Sequence, residues 1–308
     1  DAQCRVISIN SAAQELFQTD QSCLGNDILQ ITRDLSFNHW LESGLQGNKQ
    51  EGVLQFDQES YKVLIRPILS NGVVTGLVVL LVDVTEQLQI EKLRHEFTAN
   101  VSHELKTPLH VISGYSEMLV NGLVSANDIP HFAGKIYNES QRMVQLVEDI
   151  INLSRLDETD QVPMEKLDIY AIAQNVLESL STKASQHQIN LHLKGQSTTI
   201  TGNSALIHSV LYNLCDNAIT YNRDKGAVDV TISSNEDNVF LEVKDTGIGI
   251  SKEEQERIFE RFYRIDKSRS RKLGGTGLGL SIVKHALKLH DASIHIQSQL
   301  NHGTRMLL

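Results

Sequence analysis

The chain has few cysteines, and their spacing excludes the sites that cysteines usually build. Only Cys4, Cys23 and Cys215 occur among the 308 residues, and no two of them form a Cys-x-x-Cys motif. Scattered cysteines of this kind argue against a disulfide framework and against a zinc knuckle. We therefore expect the chain to work in a reducing compartment.

An excess of positive charge and a long apolar run are also missing. The 28 lysines and arginines are outnumbered by 38 acidic residues, so direct binding of nucleic acid is not expected. The longest apolar run, residues 76–82, is too short to cross a bilayer. Because the chain opens on Asp1 inside a strand-like segment, we interpret it as a fragment and expect a membrane-attached segment upstream.

The residues that are present predict ordinary globular domains, two or three for this length. The first 84 residues combine a capped helix signal at Asn10 with segments that alternate or run apolar, as strands do. Asn71-Gly72 is a strong hairpin turn between the last two strands. We predict a helix over residues 12–17 and strands over residues 4–9, 52–56, 61–69 and 73–84, with only short mixed segments between the helix and residue 50.

Residues 86–121 carry apolar side chains in steps of three and four, which predicts one apolar helix face. At about 100° per residue, His103 falls almost opposite that face, so its side chain should be exposed. Thr107 lies one turn further on nearly the same side, and Pro108 should kink the helix there. A zinc site of the His-Glu-x-x-His type is excluded because its second histidine is replaced by Thr107.

A second helix with an apolar stripe is expected over about residues 129–156. An antiparallel hairpin of these two helices leaves an apolar seam too large for one chain to cover. Two hairpins paired in a four-helix bundle would bury that seam, so the sequence predicts a homodimer. The alternative is that the helices pack on other domains of their own chain.

After a polar linker at residues 157–163, helices and strands follow in mixed order, which predicts a two-layer α/β sandwich. The final strand is expected near the end of the chain at residues 305–308. We predict helices over residues 168–186, from 203 onward and over 277–290, and strands over residues 189–193, 228–233, 239–244 and 293–297.

Four motifs in this last region together indicate a nucleotide site, and two of them suit a metal ion and a base. Asn213 and Asn217 lie four apart on one helix face, where amide oxygens can ligate Mg²⁺. Asp245 follows a strand, where its carboxylate can accept a hydrogen bond from an exocyclic amine. Gly247 and Gly249 come next and allow a flat ring to approach the backbone.

The other two motifs suit phosphate. Residues 258–264 supply aromatic packing together with Arg261 and Arg264. The glycine-rich run at residues 274–280 opens a helix, whose amides and dipole favour a polyphosphate. That run is neither a P-loop, because no Gly-Lys-Ser/Thr follows, nor a Rossmann motif, because no strand precedes it. Each motif alone is weak, but the four in this order are highly specific.

With His103 and these motifs, the chain resembles the cytoplasmic part of a bacterial sensor histidine kinase, similar to the membrane-bound phosphate-responsive or cell-wall-responsive kinases. The resemblance implies a multidomain α+β protein on the cytoplasmic side of the plasma membrane. It implies a PAS-like sensor domain at residues 1–85, a dimerisation and histidine-phosphotransfer domain at 86–160 and a Bergerat-type ATP-binding domain at 161–308. A dimerising spacer without a ligand is the alternative for the first domain.

The resemblance also assigns roles to individual residues. His103 would be the phosphorylated residue, with Glu104 accepting the proton of the other imidazole nitrogen or orienting the ring, and Thr107 positioning the water that removes phosphate from the regulator. The alternatives are that Glu104 is a charge on the helix surface and that the Thr107 hydroxyl belongs to the helix kink. For the nucleotide, the resemblance implies Asn217 as the Mg²⁺ ligand, Asn213 near the phosphates and Tyr221 against the base. It places Asp245 on the adenine amine, with Gly247 and Gly249 beneath the base, and Arg264 on the terminal phosphate. Gly275, Gly277, Leu278 and Gly279 would hold the phosphates and a lid over about residues 266–276.

One position departs from the family pattern. Relatives usually carry a lysine that touches phosphate between residues 219 and 221, and this chain has Thr220 instead. Either phosphate affinity is weaker than in relatives, or Lys225 or a lid cation such as Arg269 or Arg271 is the substitute.

The function that the resemblance implies is autophosphorylation of His103 from Mg²⁺ and ATP, followed by transfer to an aspartate in the receiver domain of a response regulator. Phosphatase activity towards the same regulator is also expected. Two other classes are open from the residues alone. One is a Bergerat-type ATPase of the chaperone or gyrase kind without a phosphohistidine, and the other is a degenerate scaffold kinase that binds partners without turnover.

Overall fold

The structure is a computed structural model that describes residues 1–158, 162–236, 238–266 and 275–308. The chain divides into two compact units, Asp1–Ala99 and Asn100–Leu308. Within the ranges that the structure describes, no helix is long and apolar enough to cross a membrane.

The first unit is built on a three-stranded antiparallel sheet whose strands follow the order of the chain. Its small core joins Phe37 and Leu41 from one helix to Leu54, Val63 and Ile65 from the sheet. The elements are α1 (Ser11–Leu16), α2 (Leu35–Leu45), β1 (Gln50–Phe56), β2 (Glu59–Ser70) and β3 (Val73–Asp83).

The predicted helix and hairpin of this unit are confirmed. The side chain of Asn10 caps α1 by accepting the Ala13 amide at 2.9 Å. Asn71 and Gly72 both have positive φ, 52° and 79°, as the two-residue hairpin turn requires.

Two expectations for the first unit are wrong. The predicted strand over residues 4–9 reduces to one bridge between Arg5 and Asp27, because Cys4 has φ 59° and the Asp1 carboxylate holds the Arg5 amide at 2.9 Å. These contacts form a turn rather than an extended strand. Helix α2, in turn, occupies the stretch that we read as short mixed segments, and Asp34 caps it by accepting the Phe37 amide at 2.8 Å.

Two long helices follow, α3 (Thr85–Val120) and α4 (Ile129–Glu158). Helix α3 continues through Pro108, whose side chain is buried. The predicted kink at this residue stays a prediction. The Thr107 hydroxyl donates to the His103 carbonyl at 3.1 Å. The next carbonyl, that of Glu104, would normally accept the amide of residue 108, but proline has no N–H to donate. Apolar side chains on the second unit's part of these helices are exposed, among them Leu109, Val120, Tyr137, Val144 and Ile151.

The rest of the second unit is a five-stranded mixed sheet, in the order β5-β7-β8-β10-β9, with helices packed on one face. The helices cover one face because alternate side chains of a strand point to the same face of the sheet. In β7, the alternate residues Val228, Val230 and Ile232 are buried against the helices. The elements are β4 (Glu165–Asp168), α5 (Ile169–Gln186), β5 (Asn190–Lys194), β6 (Thr199–Gly202), α6 (Ser204–Thr220), β7 (Ala227–Ser234), β8 (Val239–Asp245), α7 (Gly279–Lys288), β9 (His295–Gln299) and β10 (Gly303–Leu307).

This sandwich agrees with the predicted order of elements and differs in detail. The antiparallel pair β4–β6 was not predicted, because both strands have four residues and β4 buries only Leu167. Helix α7 begins at Gly279 rather than at residue 277, since Gly277 has φ 76°, which a helix does not accommodate.

Candidate active site

A cavity of about 980 Å³ lies in the second unit, a volume typical of sites for small molecules. Its walls come from α4, α5 and α6, the end of β8, and the segments before and at the start of α7. The structure brings together these predicted nucleotide-binding residues as lining: Asn213, Asn217, Tyr221, Asp245, Gly249, Arg264, Gly275, Gly277 and Gly279.

Two of the predicted nucleotide-binding residues, Gly247 and Leu278, do not line the cavity. The Leu278 side chain is 0% exposed, so it anchors the start of α7 rather than facing a ligand. Gly247 is buried, and a Cβ there would come within 2.4 Å of the Tyr221 carbonyl oxygen. The structure therefore does not bring these two predicted residues into the cavity lining.

Helix α6 presents the paired asparagines because its opposite face is buried in the core. The Asn213 amide nitrogen donates to the Ser209 carbonyl at 2.8 Å, which turns its oxygen towards the start of α7. A Cβ at Gly279 would lie 2.4 Å from that oxygen. Glycine at this position thus allows α7 to begin directly against the asparagine.

Asp245 stands at the end of β8 with one carboxylate oxygen fixed by the backbone. Oδ1 accepts the Gly247 amide at 2.7 Å and the Thr304 amide at 3.2 Å, and Oδ2 takes part in neither contact. Burial raises the pKa of Asp245 above its usual value, against the lowering effect of these two amides. The side chain is therefore a half-buried acceptor with a fixed orientation.

Arg264 and Glu104, predicted to act on phosphate and on the imidazole proton, lie against each other. Nη2 of Arg264 is 3.2 Å from Oε2 of Glu104, and the Arg264 side chain is only 5% exposed. The same carboxylate oxygen lies 3.8 Å from Nη2 of Arg142. His103 itself is exposed, as predicted, and is not among the described residues that line the cavity.

Helix α4 contributes polar residues that sequence reasoning missed. Asp149 is 8% exposed and accepts the Thr276 hydroxyl at 2.6 Å and the Gln145 amide at 2.9 Å. Gln145, Asp149 and Asn152 all line the cavity. The apolar stripe of α4 alone does not predict that this helix lines the cavity. The signal that points to it is a carboxylate between Leu146 and Leu153, both of which are buried.

The predicted lid over residues 266–276 lies mostly outside the described residues, as do Arg269 and Arg271. Lys225 is exposed and is not among the described residues that line the cavity.

Two family models match the chain. The His Kinase A (phospho-acceptor) domain matches residues 93–159, a range that includes His103, and the Histidine kinase-, DNA gyrase B-, and HSP90-like ATPase matches residues 202–308. The chain is 34% identical over 309 residues to the sensor histidine kinase WalK of Bacillus subtilis, covering 97% of the chain and 50% of WalK. The chain belongs to the sensor histidine kinase family.

Two further comparisons extend the similarity to other proteins. The chain is 36% identical over 233 residues to the sensor-like histidine kinase SenX3 of Mycolicibacterium smegmatis, covering 75% of the chain and 61% of SenX3. In fold it is similar to the histidine kinase ThkA, solved in complex with the response regulator protein TrrA, with a TM-score of 0.57 and 20% identity over 98% of this chain and 91% of that one. The chain spans about half the length of WalK.

The matched ranges bear on the open alternatives. A phospho-acceptor domain joined to the ATPase domain favours a kinase over an ATPase of the gyrase or chaperone kind. Neither range reaches residues 1–92, so the PAS-like domain stays a prediction, as do the predicted domain boundaries.

The residues present fit a magnesium ion. Among the described residues of this chain, no group of three or more histidine, cysteine or acidic side chains could hold a metal ion alone. Mg²⁺ needs no such group, because it keeps several waters and shares phosphate oxygens. Asn217 lines the cavity one turn from Asn213, so its amide oxygen is the protein ligand that we expect.

Asp149→Asn should change how the stability of the protein depends on pH. Because burial raises the pKa of Asp149, the folded chain holds that proton more tightly than the unfolded chain does. The stability contributed by the protonated carboxyl is therefore lost as pH rises through the raised folded pKa. Relative to Asp149→Asn, the wild-type free energy of unfolding should fall as pH rises from about 4.

Denaturant unfolding of both proteins between about pH 4 and pH 7 measures this difference. A difference that does not change with pH, or that grows in favour of wild type as pH rises, would contradict it.

Proposed function

We propose that this chain autophosphorylates His103 from ATP and passes the phosphoryl group to an aspartate of a response regulator. The observation that carries the proposal is the exposed His103 on a helix whose next residue, Glu104, contacts the cavity-lining Arg264. A histidine open to solvent can meet both a nucleotide and a partner protein. A cavity on the same unit can supply the nucleotide.

The first step is an in-line attack by one imidazole nitrogen of His103 on the γ-phosphorus of ATP. The nitrogen lone pair forms the N–P bond, and the bond from that phosphorus to the bridging oxygen breaks with its electrons leaving on ADP. Glu104 accepts the proton from the other ring nitrogen or orients the ring. Arg264 stabilises the charge on the transferring group.

The cavity residues bind and orient the nucleotide. Asp245 accepts a hydrogen bond from the adenine amine, Tyr221 lies against the base, and Asn213 and the glycines at the start of α7 receive the phosphates. Asn217 would hold Mg²⁺, which supplies positive charge at the phosphates when it is bound. The segment from residue 275 to α7 closes the phosphate end.

The structure has one feature that this mechanism must change. Arg264 and Glu104 pair with each other at 3.2 Å, so neither is available to the substrate while the pair is closed. We propose that the pair opens when ATP binds, which frees Arg264 for the terminal phosphate and Glu104 for the imidazole. The two events are linked because one contact restrains both groups.

The partners follow from the exposed surface of the two long helices. Apolar side chains such as Val144 and Ile151 are exposed on α4, which supports the homodimer that would cover them. ThkA was solved with the response regulator TrrA, and by analogy we propose that a receiver domain docks beside His103. Thr107 would position the water that removes phosphate from that regulator.

Labelling with γ-phosphate-labelled ATP tests the proposal, with His103→Gln as the variant. Wild-type protein should gain label that is lost in acid and kept in alkali, and His103→Gln should gain none. His110→Gln is the matched control because His110 is also exposed on α3, and it should label like wild type.

The same experiment separates the alternatives. ATP consumption without labelled protein would identify an ATPase without a phosphohistidine. A wild-type chain that binds no ATP would identify a scaffold. Either result contradicts the proposal.

Asp245→Asn should change which base the cavity prefers. Asparagine should keep its carbonyl oxygen towards the Gly247 and Thr304 amides that now hold Oδ1, and its NH₂ group then faces the base. Two donors would meet at the adenine amine, so ATP affinity should fall on the order of tenfold. Inosine triphosphate, which presents an oxygen at that position, should lose much less.

Competition binding with both nucleotides measures the ratio of the two affinities. Unchanged discrimination between ATP and inosine triphosphate in Asp245→Asn would show that this carboxylate does not read the base.

A further inference from the structure

The cavity carries more negative than positive charge on its walls. Among the lining residues that the structure describes, the only lysine and arginine are Lys183 and Arg264. Arg264 is paired with Glu104. The acidic lining residues are Glu148, Asp149, Asp216, Asp245 and Asp266. A polyphosphate entering this cavity therefore needs cationic contacts, and Lys183 is the described lining lysine or arginine that remains while Arg264 is paired with Glu104.

Lys183 reaches the cavity from the last turn of α5, which packs against α6. Its Nζ donates to the Thr220 hydroxyl at 2.9 Å and forms an ion pair with Asp216. Asp216 and Thr220 lie one turn apart on α6, and Asp216 directly precedes Asn217. The Lys183 side chain is 34% exposed, so its ammonium is held in place but not sealed from the cavity.

The hydrogen-bonding capacity of this ammonium is not exhausted. A lysine ammonium has three N–H donors, and the two contacts to Asp216 and Thr220 use two of them. The third can bind a phosphate oxygen without breaking either contact.

The position of Lys183 also bears on which cation replaces the lysine that relatives carry at position 220. Relatives usually carry a phosphate-contacting lysine at that position, and in this chain an ammonium from α5 lies on the Thr220 hydroxyl instead. Lys225, an expected substitute, is exposed and is not among the described lining residues. Arg269 and Arg271 lie outside the described residues.

We propose that Lys183 is a phosphate-binding residue of the nucleotide site, which supplies from α5 the positive charge that position 220 lacks. Asp216 and Thr220 position its ammonium, and its remaining N–H binds a non-bridging oxygen of the polyphosphate. The proposal rests on the proposed function, because it requires that the cavity takes ATP.

Lys183→Met tests this role because methionine keeps most of the aliphatic stem and removes the charge. Binding of ATP and of adenosine to the whole 308-residue chain is measured by calorimetry in the presence of Mg²⁺. ATP should bind on the order of tenfold more weakly, whereas adenosine, which has no phosphate, should bind as it does to wild type.

Lys194→Met is the matched control, because it removes a lysine that pairs with Asp229 at 2.7 Å outside the cavity lining. It should change neither affinity. Adding Thr220→Lys to Lys183→Met returns an ammonium to the position that relatives use and should restore ATP binding to within about twofold of wild type.

Unchanged ATP affinity in Lys183→Met would overturn the proposal, and so would a loss that affects ATP and adenosine equally, which would indicate a structural role. Weakening in Lys225→Met but not in Lys183→Met would assign the contact to Lys225 and also overturn it. A wild-type chain that binds neither ligand would contradict the proposed function itself, whereas normal wild-type binding with no effect at Lys183 contradicts only this inference.

Discussion

The ion pair between Glu104 and Arg264 ties the helix that carries His103 to the proposed nucleotide cavity. Arg264 is almost fully buried, and a buried guanidinium must be paired or it pays a large desolvation penalty. The pair therefore fixes where both side chains lie. It also means that the carboxylate proposed to act on the imidazole and the cation proposed to act on phosphate restrain each other before the reaction begins.

Helix α4 strengthens the same connection and gives the helical hairpin a second role. Its Asp149 accepts the Thr276 hydroxyl, and Asp157 near its end contacts Arg261 at 2.7 Å and His285 at 2.9 Å. These contacts bind α4 to the segments that flank the cavity. The hairpin thus carries the exposed histidine and also forms a wall of the proposed nucleotide site, so a shift of the hairpin would affect both.

The parts that the sequence predicted are those that depend on local pattern. The exposure of His103 follows from helical periodicity, and the placement of Asn213 and Asn217 on the same face of α6 follows from their spacing. The parts that it missed depend on contacts between distant segments. The ammonium of Lys183 meets Thr220 across 37 positions of the chain, and Asp149 meets Thr276 across 127; no local pattern specifies either contact.

The most direct test of this account is the affinity for ATP after Glu104→Gln. Removing the carboxylate should release Arg264 for phosphate, so ATP should bind about fivefold more tightly, which corresponds to roughly 1 kcal/mol, while labelling of His103 becomes slower. Glu139→Gln is the control, because Glu139 pairs with Arg142 at 3.2 Å in the same network and should leave ATP affinity unchanged. An ATP affinity that is unchanged or weaker in Glu104→Gln would contradict the account.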